Sequence, residues 1–284
     1  MIGDCSDPAA LEGAAWMLCY LTTPKHMNFY WSFLTVLGLL AVTVPFIMAF
    51  GLAGAFAKRA RIAPVRWLGG LYTTMVRGVP DIVFFLFVPI ALDQGIEYLR
   101  HRVLCPEMSG PVWVGNDFVV CAAAKAPLST ASAFVHDVYG FALAVVAYAI
   151  VFGAFAANVI DGALRAVPKG QVEAAEAVGM SPGQIRRRIV LPQMWVYALP
   201  GLSNLWMILV KATPLLFLLG IEDIVYWARE LGGMKTQAFD YPHPDWRLWY
   251  FGALMIFYLL LTWVSQIGFG RLTAWASRGM AGAR

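Results

Sequence analysis

Val138 to Ile160 carries no Asp, Glu, Lys or Arg, and neither does the interval between Lys25 and Lys58. Uncharged runs of this length narrow the choice of solvent. A bilayer core about 30 Å thick takes roughly 20 helical residues to cross, and backbone inside it must satisfy its own hydrogen bonds. With 60% apolar residues and only 13% charged ones, a chain of 284 residues has too little polar surface to coat a water-soluble body. The first span is therefore expected over Phe29–Ala57, kinked at Pro45, and a second over Trp67–Leu92, interrupted by Arg77 and Asp81. Val138–Ile160, Tyr197–Ile221, which holds Lys211, and Leu248–Gly270 complete a set of about five. The apolar stretch Ala14–Leu21 is too short to cross and reads as a short helix at the membrane surface.

Orientation follows from the basic residues, which cytoplasmic loops retain. Twelve Lys and Arg fall on one side: Lys58, Arg59, Arg61 and Arg66, then Arg165, Lys169 and Arg186 to Arg188, then Arg271, Arg278 and Arg284. Seven fall on the other, among more carboxylates. The expectation is an all-α polytopic membrane protein with the N-terminus outside and the C-terminus inside. The net charge of +4 is thus a topological signal rather than a basic face for nucleic acid. Cys5, Cys19, Cys105 and Cys121 all fall on the outer side, where a compartment can oxidise them. Three pairings are possible, and spacing favours Cys5 with Cys19 and Cys105 with Cys121; four unpaired cysteines on apolar surface are the alternative. The outer loop 93–137 holds Pro106, Gly110, Pro111 and Pro127, which argue against a further regular helix. No repeat or low-complexity tract divides the chain, so residues 29–272 are expected as one membrane domain between an outer segment, 1–28, and a tail, 273–284.

The cytoplasmic loop 161–196 has a local grammar of its own. Pro168 suits a first helical turn, Gln171 to Val178 has high helix propensity, and Gly179 supplies a stop. Ser181, Pro182 and Gln184 then read as N-cap, first residue and capping-box partner of a second helix running to a break at Pro192. Such a hairpin exposes Glu173, Ala174, Ala175 and Gly179, small enough for a partner surface to approach closely. The competing reading is an amphipathic hairpin resting on headgroups through Arg186, Arg187 and Arg188.

Glu173-Ala174-Ala175, three residues, Gly179, nine residues, Ile189, one residue and Leu191-Pro192 resemble the EAA loop of ABC import permeases at each signature position. The resemblance spans about Phe33 to Leu272 and looks most like polar amino acid permeases of the histidine/lysine/arginine/ornithine and opine branch. Three further passages carry it: Arg77-Gly78-Val79-Pro80-Asp81, Ala166-Val167-Pro168-Lys169-Gly170, and Lys211-Ala212-Thr213 with Leu219-Gly220-Ile221-Glu222-Asp223. The longer cysteine-bearing outer loop and extended N-terminus depart from that branch. The resemblance implies a bacterial inner-membrane subunit that imports polar, cationic amino acids by alternating access. It implies as partners a second, related or identical permease chain, two ATP-binding subunits and a periplasmic amino acid-binding protein, beside membrane lipid and without nucleic acid. It makes the hairpin a coupling helix docked on the ATP-binding subunit. The chain itself is then no enzyme and binds no cofactor; ATP is used by the partner.

Charge inside a span costs about 2.5 to 3.5 kcal/mol or more, so Arg77, Asp81 and Lys211 are expected to face protein or a water-filled path. Arg77 and Asp81, four apart on one helical face, are expected to neutralise each other, with Asp81 also open to a substrate path. Lys211 lies about 20 Å into its span at about 1.5 Å per residue. Glu222 and Asp223 stand near the outer mouth, either as a carboxylate pair attracting a cationic solute or as ordinary helix-end solvation. No histidine shows metal-ligand spacing, and neither a nucleophile-base arrangement nor a glycine-rich phosphate loop is present. An importer of another small solute is the alternative function. A membrane-embedded enzyme or sensor would need a catalytic constellation or signalling domain that the sequence does not contain.

Overall fold

A computed structural model describes residue 5 and residues 7–108, 110–219 and 221–278. The order of elements is α1 (Gly13–Leu21), α2 (Pro24–Lys58), α3 (Ala63–Gly78), α4 (Asp81–Leu104), a two-stranded hairpin β1 (Trp113–Val114) and β2 (Asp117–Phe118), and α5 (Ala133–Ala166). There follow α6 (Lys169–Ala177), α7 (Pro182–Ile185), a π-helical segment Arg186–Val190, α8 (Leu191–Ala212), a 3₁₀ segment Thr213–Leu219, α9 (Ile224–Gly232) and α10 (Arg247–Ala276). Among the described residues, five helical stretches are long and apolar enough to cross a membrane: Pro24–Lys58, Ile82–Leu104, Ala133–Ala166, Pro182–Leu216 and Arg247–Ala276.

Three local expectations are corrected. The second apolar stretch is two helices rather than one. Val79, standing before Pro80, is extended at φ −124° and ψ 136°, because the proline ring disfavours helical backbone in the residue that precedes it. Arg77 and Asp81 therefore close one helix and open the next instead of sharing a face; their side chains lie outside the described residues. The loop expected over 93–137 is shorter at both ends, since α4 continues to Leu104 and α5 begins at Ala133. Asp93 ends the apolar run but not the helix, because a charge sets hydropathy and not backbone conformation; its carboxylate accepts from the Tyr139 hydroxyl at 2.7 Å. Pro192, expected as a break, sits inside continuous helix. Its ring excludes the carbonyl four residues back, and the wider π turn, closed by the Leu191 N–H on the Arg186 carbonyl, absorbs the conflict.

The chain divides into two compact units, with the boundaries inside α2, α8 and α10. One comprises Val42–Trp206 and Arg271–Arg284. Its core is built on small residues: Ala55 of α2, Ala157, Ile160 and Ala163 of α5, and Met194 and Ala198 of α8 are buried together. Gly51 lets α2 and α5 approach so closely that a Cβ there would stand 2.7 Å from the Ala156 Cβ. Membrane helices associate through such close backbone contact because lipid gives little hydrophobic drive between them. The Cys105–Cys121 disulfide ties the end of α4 to the segment after β2.

The other unit comprises Met1–Ala41 and Met207–Gly270. Here α1 is tied by the Cys5–Cys19 disulfide, and its Tyr20 enters a buried chain of polar rings. The Tyr20 hydroxyl lies 3.0 Å from His243 Nε2 and accepts from the Tyr250 hydroxyl, while Tyr250 lies 2.7 Å from His26 Nε2. His26 meets Thr23 in turn at 2.8 Å, so each buried ring has a partner and α1, α2 and α10 are held in register. Each disulfide closes a loop of about 15 residues, worth about 3 kcal/mol in the chain-entropy account.

Candidate functional site: the Lys169–Pro192 hairpin

The hairpin is shaped by two caps. Helix α6 ends in a Schellman motif: the Met180 N–H donates to the Ala175 carbonyl at 3.0 Å and the Gly179 N–H to the Glu176 carbonyl at 2.9 Å. That closure puts Gly179 at φ +79°, a conformation that L side chains rarely adopt. Helix α7 opens on a capping box, with the Ser181 hydroxyl accepting from the Gln184 N–H and the Gln184 side chain accepting from the Ser181 N–H.

The hairpin is seated on the spans. Arg186 lies over the Phe56 ring at 5.2 Å, and the Gln193 amide donates to Gln171 across the base. A cavity of about 280 Å³ separates Phe56, Arg59 and Leu164 from Glu176, Ile185 and Arg186. Glu173, Ala174, Gly179 and Pro192 are exposed, and Ile189 and Leu191 are half-buried. Ala175, expected to be exposed, is buried at 4%, because it stands at the turn where the Schellman closure folds the chain back on α6.

Beneath the hairpin lies a charge cluster that the sequence reading did not find. Asp161 of α5, 4% exposed, accepts from Arg59 Nε at 2.8 Å and from Arg165 Nη2 at 2.7 Å, with Lys58 Nζ at 3.4 Å. Lys58 also donates to Asn158, whose amide donates to the Thr73 carbonyl of α3. The end of α2, α3 and the last turns of α5 thus meet on two neighbouring polar side chains. The available signal was an aspartate one helical turn before Arg165 in an otherwise uncharged stretch.

Of the residues expected along a substrate path, the side chains of Arg77 and Asp81 lie outside the described residues. Lys211 is exposed in the last turn of α8. Glu222 is exposed, whereas Asp223 is fully buried and caps α9 by accepting from the Val225 and Tyr226 N–H groups at 3.1 and 2.9 Å. The two carboxylates therefore do not act as an exposed pair. Gly220 lies outside the described residues.

Burial pushes the Asp223 carboxyl up to about 6, against the pull of its backbone hydrogen bonds, and its Oδ2 has no hydrogen-bond partner among the described residues. A carboxyl whose pKa is higher folded than unfolded carries no penalty below about pH 4 and a growing one as pH rises to about 6, constant thereafter. Asp223→Asn keeps the cap and removes that penalty, on the order of 2 kcal/mol. The variant is expected to melt higher than the parent at pH 8 and alike at pH 4 in detergent. A lower melting point at pH 8 would mean that the ionised carboxylate is held by a favourable partner.

Residues 51–282 match the family described as binding-protein-dependent transport system inner membrane component. The chain belongs to this family. Among relatives of this permease, the arginine ABC transporter permease ArtQ of Escherichia coli is 32% identical over 82% of this chain and 88% of its own length. The nopaline transport system permease NocQ of Agrobacterium fabrum is 32% identical over 83% and 85%, and the histidine/lysine/arginine/ornithine permease HisQ of Salmonella typhimurium is 32% identical over 79% and 82%. These relatives are transport components rather than enzymes. The permease also shares its fold with a chain of an amino acid ABC transporter crystallised with histidines, at TM-score 0.56 and 21% identity over 91% of this chain and 97% of that one. A chain of the inward-facing MetNI methionine ABC transporter aligns at TM-score 0.59 and 16% identity, over 90% of this chain and all of that one.

Proposed function

We propose that this chain is the membrane-spanning permease subunit of an ATP-driven importer for polar, cationic amino acids or the opines related to them, set in a bacterial inner membrane. The observation that carries the substrate class is the set of relatives at 32% identity over about four fifths of the chain, whose names specify arginine, nopaline and histidine/lysine/arginine/ornithine. The hairpin supports the mechanism. It exposes the small residues Ala174 and Gly179 beside Glu173, and it is seated against α2 and α5 through Phe56, Leu164 and Arg186.

In this reading the N-terminus is outside and the C-terminus inside, so the hairpin faces the cytoplasm, as the loop basicity directs. The hairpin is the coupling helix: closure of two ATP-binding partners displaces it, and it carries the ends of α2 and α5 in an alternating-access cycle. A second permease chain, identical or related, completes the pathway, and a periplasmic binding protein delivers solute. ATP is bound and hydrolysed by the partner subunits.

The test is uptake of labelled arginine, histidine, lysine and one uncharged amino acid into proteoliposomes holding this chain with its companion permease, ATPase and binding protein. ATP-dependent uptake favouring the cationic set is expected. Uptake of a different small solute alone would keep the importer and overturn the substrate class.

A further inference from the structure

The last turn of α4 and the segment after β2 bring three soft donors together. His101 and Cys105 stand four apart on one face of α4, and Cys121 returns to them across the loop. One ring nitrogen of His101 and the sulfurs of Cys105 and Cys121 lie within 4.8 Å of one another. His101 is 5% exposed, and its Nδ1, which accepts from the Cys121 N–H at 3.1 Å, carries the lone pair that a cation takes in place of that hydrogen bond. The sulfurs are joined in this structure. We propose that the same three residues bind one thiophilic divalent cation of the Zn(II) class when the Cys105–Cys121 disulfide is reduced, so that metal and disulfide are alternative closures of one loop.

The chemistry balances. A dithiol reductant breaks the S–S bond, is itself oxidised to its disulfide and leaves two protonated thiols. The cation then displaces both thiol protons to water and binds two thiolates and one neutral imidazole nitrogen, with no change in its own oxidation state. Two thiolates and a divalent cation sum to zero charge, which a site with a buried histidine tolerates without a further counter-ion. The neighbouring charges are already engaged: Glu97, one turn before His101, accepts from Lys125 and from the Ala126 N–H, and Arg100 donates to the Ala123 carbonyl. Tetrahedral zinc with three protein ligands leaves a fourth position for water. A cavity of about 790 Å³ bordered by His101, Arg102, Trp113 and Phe118 reaches the histidine from one side and gives a hydrated ion its entry. The inference is independent of the proposed transport function.

The probe is cobalt(II), on the full-length chain purified in detergent with a non-histidine tag and reduced anaerobically with a phosphine. Cobalt is expected to bind at one per chain with a sulfur-to-cobalt charge-transfer band in the near ultraviolet, and zinc to abolish the band. The oxidised chain should show none. His101→Ala should weaken binding by at least about tenfold. In the reduced parent chain, bound zinc should slow alkylation of Cys105 and Cys121 but not of Cys5 and Cys19, read by mass spectrometry; this arm needs no variant to fold. Equal alkylation of all four cysteines, a missing charge-transfer band, or unchanged affinity in His101→Ala would each overturn the three-ligand site.

Discussion

The Gly179→Val chain is expected to fold and assemble yet lose at least about tenfold in ATP-driven uptake, the effect of roughly 1.4 kcal/mol of lost docking. Two separable costs lie behind this. Within the chain, a side chain at φ +79° is strained by about 1–2 kcal/mol, and a β-branched one by more. It meets no other atom, however, since a Cβ built at Gly179 has nothing within 4 Å. The open space beside Gly179 is therefore available to a partner, and in the proposed coupling role the isopropyl group enters it. Asparagine, which tolerates left-handed backbone, separates the terms: Gly179→Asn should remove most of the strain and still impair uptake. ATP hydrolysis by the assembled complex, measured beside uptake, should persist while uptake falls. Normal coupled uptake in both variants would remove the hairpin from the docking surface.

How much of this was legible in the sequence depended on the range of the interaction concerned. Membrane spans are properties of one continuous stretch, so apolar runs marked all five, three of them free of charge, and the Gly179 stop and Ser181 box were readable because a cap is decided within about five residues. The errors came where hydropathy and backbone geometry part company. Val79-Pro80 breaks the chain between Arg77 and Asp81, where both the two charges and the proline were signals that the apolar length on either side outweighed. Asp93 marked the end of the apolar run by its charge, which says nothing of where the helical backbone stops, and α4 runs on to Leu104. Pro192 carried a correct local signal, the incompatibility of its ring with an ordinary turn, and the chain answered with a π segment instead of a break. Asp223 shows the converse limit: beside Glu222 it reads as half of an acidic pair, and only burial separates an exposed carboxylate from a helix cap. His101 was passed over because its partner Cys121 arrives through the loop, 20 residues on.

Asp161 is the case with the largest structural consequence. Lys58, Arg59 and Arg165 entered the sequence reading only as signs of which side of the membrane they occupy, yet all three converge on one buried carboxylate. Replacing an ion pair's buried member leaves its partners uncompensated, at about 3–5 kcal/mol where they are buried too. Here Arg165 and Arg59 retain 71% and 39% exposure and can turn to water, so Asp161→Asn is expected near the lower limit, about 3 kcal/mol. Arg165→Ala, removing the most solvent-screened member, should cost under about 1 kcal/mol. Thermal melting of the two variants in detergent, with yield of assembled complex, reads the contrast. Its direction matters for function as well as stability: Arg59 also borders the cavity beneath the hairpin, so a loosened Asp161 should free the hairpin's seat and reduce uptake in the molecules that remain folded. Equal melting of the two variants would show instead that the three cations are held by solvent and that Asp161 does not fix the end of α2 to α5.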